Sequence, residues 1–322
     1  MLRSMRIARR RIARRSPVLV GPALLLAAGA ALAGCSSGTA DDAGSGALSV
    51  VAAENVWGSL AEQLGGENVE VRSIIDSPDA DPHDYEPTAA DGRAVATADL
   101  LIVNGAGYDP WAARLAAANP SESRVLLDAG EFAASDGGDP HLWYDPRVVD
   151  RVVERITAAY VRLDPSRAAD YEAAAEAFRT TGLAHYTDAI EDVRDEFGGT
   201  PIGGSESVVA PLAAALDLDL VTPPGLLAAV SEGVDPTARD KRTADEQIAS
   251  RQIAVYVHNA QNTTPDVRAQ VEAATEAGIP VVAITETLTP TDATFQAWQT
   301  AQFNALREAL SRGAGQQDRE RP

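Results

Sequence analysis

Residues 165–197 read as the longest helical stretch of the chain, free of internal proline, rich in alanine, glutamate and arginine, with Gly182 as the one weak point. At about 1.5 Å per residue such a helix spans roughly 50 Å. That length suits a spine connecting two lobes. On either side of it, short apolar runs alternate with helical patterns. Before it come runs at 48–53, 69–75, 100–103 and 124–127, separated by helical stretches at 57–64, after Thr88, at 110–118 and at 146–163. The last of these carries Val148, Val149, Val152, Val153 and Ile156 at helical spacing, with Asp145 placed as N-cap and Pro146 as first helical residue. After Gly198-Gly199 the pattern resumes: strands near Pro201 and at 218–221, 253–257 and 281–284, and helices at 208–216, 241–250, 265–277 and 290–311. Alternation of this kind predicts an α/β fold with parallel sheets flanked by helices. The expected lobes are 47–164 and 198–312, joined by one long spine helix over 165–197. The polar tail 313–322 is expected to fray.

The 322 residues suffice for two lobes of roughly 100 to 150 residues each. With 45% hydrophobic and 23% charged residues the chain is ordinary for a folded protein, which argues against disorder and against a multispanning membrane protein. The first residues differ from the rest. Seven arginines and no acid precede an apolar run at 17–33, the pattern of an export signal. The run ends in Leu32-Ala33-Gly34-Cys35, which resembles a bacterial lipobox, where the cysteine thiol is acylated and the peptide is cut before it. Residues 1–34 are thus expected to be removed, with Cys35 the lipid anchor and 35–46 a flexible tether. Arg14-Arg15 leaves a twin-arginine route open.

Cys35 is the single cysteine, so no disulfide, cysteine-based metal site or thiol nucleophile is available. Without the seven leader arginines, 20 basic residues face 47 acids, a balance of −27. Such a surface repels nucleic acid.

In open parallel sheets, ligands bind beyond the carboxyl ends of the strands. Four loops meet that rule: His83 in Asp81-Pro82-His83-Asp84-Tyr85-Glu86-Pro87-Thr88, His141 in Asp139-Pro140-His141-Leu142-Trp143-Tyr144-Asp145-Pro146, Glu206 in Gly203-Gly204-Ser205-Glu206-Ser207, and Glu286 in Thr285-Glu286-Thr287-Leu288. Two imidazoles and two carboxylates can satisfy a divalent first-row metal without sulfur. Taken singly, each is better explained as a hydrogen-bonded surface histidine or a solvated glutamate.

The segments DPHDYEPT, ADLLIVNGAGYDPW and DPHLWYDP, in this order behind a lipobox, resemble the metal-binding solute receptors of bacterial manganese, zinc and iron ABC transporters, the TroA-like (cluster A-I) family. The resemblance covers about residues 48–311. It implies two α/β lobes around a metal cleft, with His83 and His141 in the family's two histidine segments. Glu206 falls where the family has His or Glu, and Glu286 where it usually has aspartate, which puts that fourth ligand in doubt. His258 is the reserve ligand, more readily a structural or supporting residue, and His185 reads as an exposed helical histidine. Asp84 and Asp145 flank the ligand histidines and could orient them, with helix capping an equal role for Asp145.

The resemblance further implies a monomeric, extracytoplasmic, lipid-anchored receptor that hands its metal to an ABC permease and is not an enzyme. Two carboxylates lean toward Mn2+ or Fe2+, whereas zinc binds almost any such set tightly; manganese and zinc stand about even, with iron third. Affinity is expected to weaken below about pH 6, where free imidazole protonates. The rival from another class is an extracytoplasmic metallohydrolase, but the chain has no His-Glu-x-x-His helix and no GxSxG elbow. A surface-adhesin role is compatible with the receptor reading.

Overall fold

A computed structural model describes residues 46–78, 85–133 and 138–320. His83, Asp84, Cys35 and the expected signal segment lie outside the described residues. The first sheet contains β1 (Leu48–Glu54), β2 (Val69–Ile75), β3 (Leu100–Val103) and β4 (Val125–Asp128) in the order β2-β1-β3-β4, and all its pairings are parallel. The second contains β5 (Pro201–Gly204), β6 (Asp219–Leu220), β7 (Val255–Asn259) and β8 (Val281–Ile284), ordered β6-β5-β7-β8 and also parallel. Each sheet reverses its winding between its first and third strands, which opens a crevice there.

The first sheet carries α1 (Asn55–Gly65), α2 (Ala89–Thr97), α3 (Pro110–Ala118) and α4 (Pro146–Leu163). Two of these starts are fixed by side chains. Thr88 and Asp91 form a reciprocal capping box on α2, and Asp145 accepts from the Arg147 N–H at the start of α4. The valine stripe foreseen on α4 is buried throughout. Beyond the linker, α5 (Ala168–Ala177) and α6 (Ala184–Phe197) lead to α7 (Val209–Ala215), α8 (Pro224–Ser231), α9 (Ala238–Ala249), α10 (Pro265–Glu276) and α11 (Phe295–Glu320) around the second sheet. One apolar core runs through both sheets, taking Val50 and Ala52 from β1, Ile202 from β5, Val255 and Val257 from β7, and Phe303 and Leu306 from α11. Among the described residues no helix is long and apolar enough to cross a membrane.

Three details differ from the sequence-based expectation. The helical segment joining the sheets is present, but it is not one regular helix. It opens with a 3₁₀ turn at Pro165–Arg167 and is interrupted by a π turn at Phe178–Gly182, where the Leu183 N–H donates to the Phe178 carbonyl five residues back. Gly182 packs against the Phe178 ring, and glycine holds a regular helix poorly, which favours such a bulge here. α8 occupies a stretch that the sequence left as loop; Pro224 at its first turn starts it. α11 starts after Pro290 has made a turn with Ala293, and it continues through the expected frayed tail to Glu320. At Gly313 a Cβ would lie 2.3 Å from the Ala254 carbonyl oxygen, so the helix lies directly on the backbone leading into β7 there.

Candidate metal centre

The crevice of the first sheet is built by the loop after β3. Asn104 and Gly105 donate their N–H groups to the two carboxylate oxygens of Asp109, each at 2.8 Å, closing the loop on itself. Between them and Tyr108 the backbone is left-handed at three successive residues, Gly105 (φ 68°), Ala106 (φ 51°) and Gly107 (φ 85°). This sharp reversal lets the Tyr108 hydroxyl reach the other lobe, where it donates to Glu286 Oε2 at 2.7 Å. The Asn104 side chain accepts from Trp57 Nε1 (3.1 Å) and donates to the Pro140 carbonyl (2.9 Å), which fixes the segment entering His141. Glu54, at the end of β1, is buried against Asp109. Burial first and the Asp109 charge second raise its pKa well above the ordinary glutamate value.

His141 is fully buried, edge-on to the rings of Tyr108 (5.6 Å) and Trp143 (5.4 Å). Its Nδ1 meets Asp139 Oδ1 at 2.7 Å, and Nε2 lies 3.2 Å from Glu286 Oε2. Burial works to lower the pKa of this imidazole, but the Glu286 and Asp139 carboxylates outweigh it and raise the value to about 10. Asp139 therefore performs at His141 the orienting role that the sequence offered to Asp145, while Asp84 lies outside the described residues. Two residues before His141, it can reach both the Nδ1 and the backbone N–H (3.0 Å), whereas Asp145 is committed to the start of α4.

The second lobe supplies the carboxylates. Glu206 follows β5 and Glu286 follows β8, and each is only 3% exposed. Glu206 Oε2 accepts from Asn262 Nδ2 at 2.6 Å, while its Oε1 is buried with no hydrogen-bond partner among the described residues. Burial, followed by repulsion from Glu286, raises the Glu206 pKa. Glu286 Oε1 accepts from Asn259 Nδ2 at 2.6 Å. A cleft of about 970 Å3 opens here, bounded by Gly107 and Asp139 on one side and by Glu206, Asn262 and Glu286 on the other.

Of the four ligand positions read from sequence, the structure brings His141 and Glu286 into contact and places Glu206 on the same cleft; His83 lies outside the described residues. What is described of its segment is firmly held: the Tyr85 hydroxyl donates to Asp91 Oδ2 at 2.9 Å, and Thr88 caps α2. Among the described residues no group of three His, Cys, Asp or Glu side chains forms a ready-made metal cluster. His258 is half-buried on β7, and strand alternation puts its neighbour Asn259 against Glu286 instead. His185 is exposed on α6, as expected. Sequence reasoning did not single out Tyr108, Asp139, Asn259, Gln261 or Asn262. The one signal that pointed to Tyr108, Asn259, Gln261 and Asn262 was their position at or beyond the ends of β3 and β7. The convergence of imidazole nitrogen and carboxylate oxygen from two lobes suits a divalent first-row cation.

Comparison with known proteins agrees with this fold. A periplasmic metal binding protein from Candidatus Liberibacter asiaticus superposes with a TM-score of 0.67 at 17% identity, over 81% of this chain and 98% of that one, a likeness of fold. The chain is 38% identical over 154 residues to the manganese-binding lipoprotein MntA of Halalkalibacterium halodurans, covering 45% of this chain and 50% of that protein. It is 28% identical over 184 residues to the manganese ABC transporter substrate-binding lipoprotein PsaA of Streptococcus pneumoniae, 51% of this chain and 55% of that protein. The chain thus spans about half the length of the curated relatives it matches. Residues 50–309 match the family ZnuA, zinc-uptake complex component A periplasmic, and the chain belongs to that family.

Proposed function

We propose that this protein is an extracytoplasmic receptor that captures a divalent transition metal between its lobes and delivers it to an ABC permease. In this reading residues 1–34 are the export signal, Cys35 carries the lipid anchor and 35–46 tether the body to the membrane. The lobes 47–164 and 198–312, joined by 165–197, act as a monomer, with 313–322 as tail. His83, His141, Glu206 and Glu286 are the ligands. The observation that carries the proposal is the buried approach of His141 Nε2 to Glu286 Oε2 across the lobes, 3.2 Å apart beside a cleft. Glu206 and Glu286 are both buried at this cleft and repel one another, and burying like charges is costly unless a cation compensates them.

The cargo is Mn2+ or Zn2+, with Fe2+ third. Family membership and the manganese relatives support a metal cargo, and two oxygen donors beside two imidazoles bind all three ions. Protein purified without added metal should carry one equivalent by elemental analysis, and competitive titration of the three ions ranks them. His141→Ala should lower affinity by about 100-fold or more, beyond the effect of losing a supporting residue, while His185→Ala leaves it unchanged. Equal losses in the two variants would remove His141 from the site.

A further inference from the structure

Two acids stand at the heads of helices without capping them. Glu54 ends β1 and precedes α1, Asp109 precedes α3, and neither side chain accepts from the open N–H groups of its own helix, the usual work of an acid there. Both are buried, at 1% and 2% exposure, and their carboxyl groups face each other. Each Asp109 oxygen has a donor, the N–H of Asn104 or of Gly105, at 2.8 Å. Glu54 has none: neither of its oxygens meets an N–H or O–H donor among the described residues. Of the elements around it, β2 brings the apolar Ile75 in register, and Asp109 is the one charged group among the described residues that acts on it. An ionised carboxylate offers only acceptors, so two of them facing each other in an apolar surrounding repel with nothing between them. One proton resolves the contact. It belongs on Glu54, because Asp109 already holds the two N–H groups that favour its charge.

We propose that Glu54 and Asp109 share one proton and form a latch, which closes the loop after β3 while the proton is held and releases it when the proton is lost. The contacts run in series. Glu54 donates to Asp109, Asp109 gathers the N–H groups of Asn104 and Gly105, and the left-handed turn that follows carries the Tyr108 hydroxyl to Glu286. Losing the proton sets two like charges against each other in a buried place. The less costly response is for Asp109 to turn out to water, which frees both N–H groups and the loop that carries Tyr108. The sign of the pH dependence follows from the folded value of Glu54, which burial first and Asp109 second raise above the unfolded one of about 4.3. The unfolded chain gives up this proton at lower pH than the folded chain does, so the pair costs stability progressively as pH rises above about 4.3. The latch is closed in acid and opens in alkali, and it does not depend on which ion the cleft holds. A neutral amide at this position would be the more stable choice, but it could not respond to pH.

The test compares the metal-free full chain with Glu54→Gln and Glu54→Leu. Glutamine can donate to Asp109 as the acid does but never ionises, whereas leucine removes the donor. In denaturant unfolding from about pH 5 to about pH 9, Glu54→Gln should gain on the wild type as pH rises, by up to about tenfold in the unfolding equilibrium constant per unit until Glu54 ionises in the folded chain. Amide hydrogen exchange at Asn104 and Gly105 reads the latch itself. At about pH 6 it should be slow in the wild type and in Glu54→Gln and at least about tenfold faster in Glu54→Leu. A carboxyl with a merely structural role would leave the gap between wild type and Glu54→Gln the same at every pH, and that result would overturn the shared proton. Exchange as slow in Glu54→Leu as in the wild type would overturn the latch. Should Glu54→Leu fail to fold, the pH dependence of the Glu54→Gln gap still decides.

Discussion

Because the His141 imidazole stands between two carboxylates, Asp139 at 2.7 Å and Glu286 at 3.2 Å, its proton is held up to a pKa of about 10, although burial alone would lower it. The folded value is raised above the unfolded one of about 6.5. The ion pair therefore contributes stability to the metal-free protein that is complete below about pH 6.5 and is lost as pH rises toward about 10. If His141 is the ligand proposed above, a metal ion displaces the same proton, so the pH dependence of affinity does not end near 6, as free imidazole suggests. Between about pH 6.5 and 10, apparent affinity should rise about tenfold per unit, with close to one proton released per metal at pH 7.5. Calorimetry in buffers of different ionisation heat counts that proton, and a release of zero would show that His141 is already neutral in the metal-free state. The residues of this centre were unequally legible in sequence. His141, Glu206 and Glu286 announce themselves by chemistry and by position at strand ends. Tyr108, Asp139 and Asn262 do not, because a hydrogen-bonding side chain acquires its meaning only when a partner far along the chain is brought to it: the Tyr108 hydroxyl finds a glutamate 178 residues away.

At the scale of elements, local signals carried most of the fold. β2, β3, β8, α2, α3 and α4 have the bounds that their apolar runs, caps and first-turn prolines dictate, since each boundary is enforced within a few residues of itself. The short α8 was not legible, because the surfaces that bury its Leu226 and Val230 come from other helices, Ala244 of α9 and Val267 of α10, and neither the π turn at Phe178–Gly182 nor the extension of α11 to Glu320 has a start or stop signal of its own. The loop after β3 belongs between these cases. Its glycines mark a turn, but what the turn needs is seen only in space. At Gly105 a left-handed φ of 68° coincides with Asp128 Oδ1 only 1.8 Å from where a Cβ would stand, and that carboxylate is already holding the Gly130 N–H. Gly105→Ala should therefore destabilise the protein by about 1–3 kcal/mol, and it should weaken metal binding by displacing Tyr108 from Glu286. Denaturant unfolding of the metal-free protein reads the first effect. Wild-type stability in the variant would mean that the loop can relax away from Asp128.

The two lobes are stitched together by hydrogen bonds outside the cleft lining, and this stitching bears on how the molecule works as a whole. The Asn55 side chain accepts from the Leu288 N–H, Ser59 Oγ accepts from the Phe295 N–H, and the amides of Gln63 and Gln296 exchange hydrogen bonds, so α1 of one lobe is tied to the start of α11 in the other. Tyr144 adds a further link: its hydroxyl donates to the Thr285 carbonyl and accepts from Gln302 Nε2. The core beneath is shared by both sheets. A hinge needs a few residues free to change their dihedral angles with little packed around them. Here opening would break these bonds together and expose buried Phe295, Trp298 and Phe303 to water, at about 25 cal/mol for each Å2 of apolar surface. The π turn could let α5 and α6 flex, but it cannot release the α1–α11 seam. Metal loading should accordingly move the loops around Tyr108 and Asn262 and shift the lobes by a few degrees. Spin-label distances between one exposed site on α2 and one on α9, measured with and without Zn2+, should change by no more than about 3 Å. A change corresponding to a rotation of tens of degrees would mean that the seam opens, and that capture proceeds by domain closure.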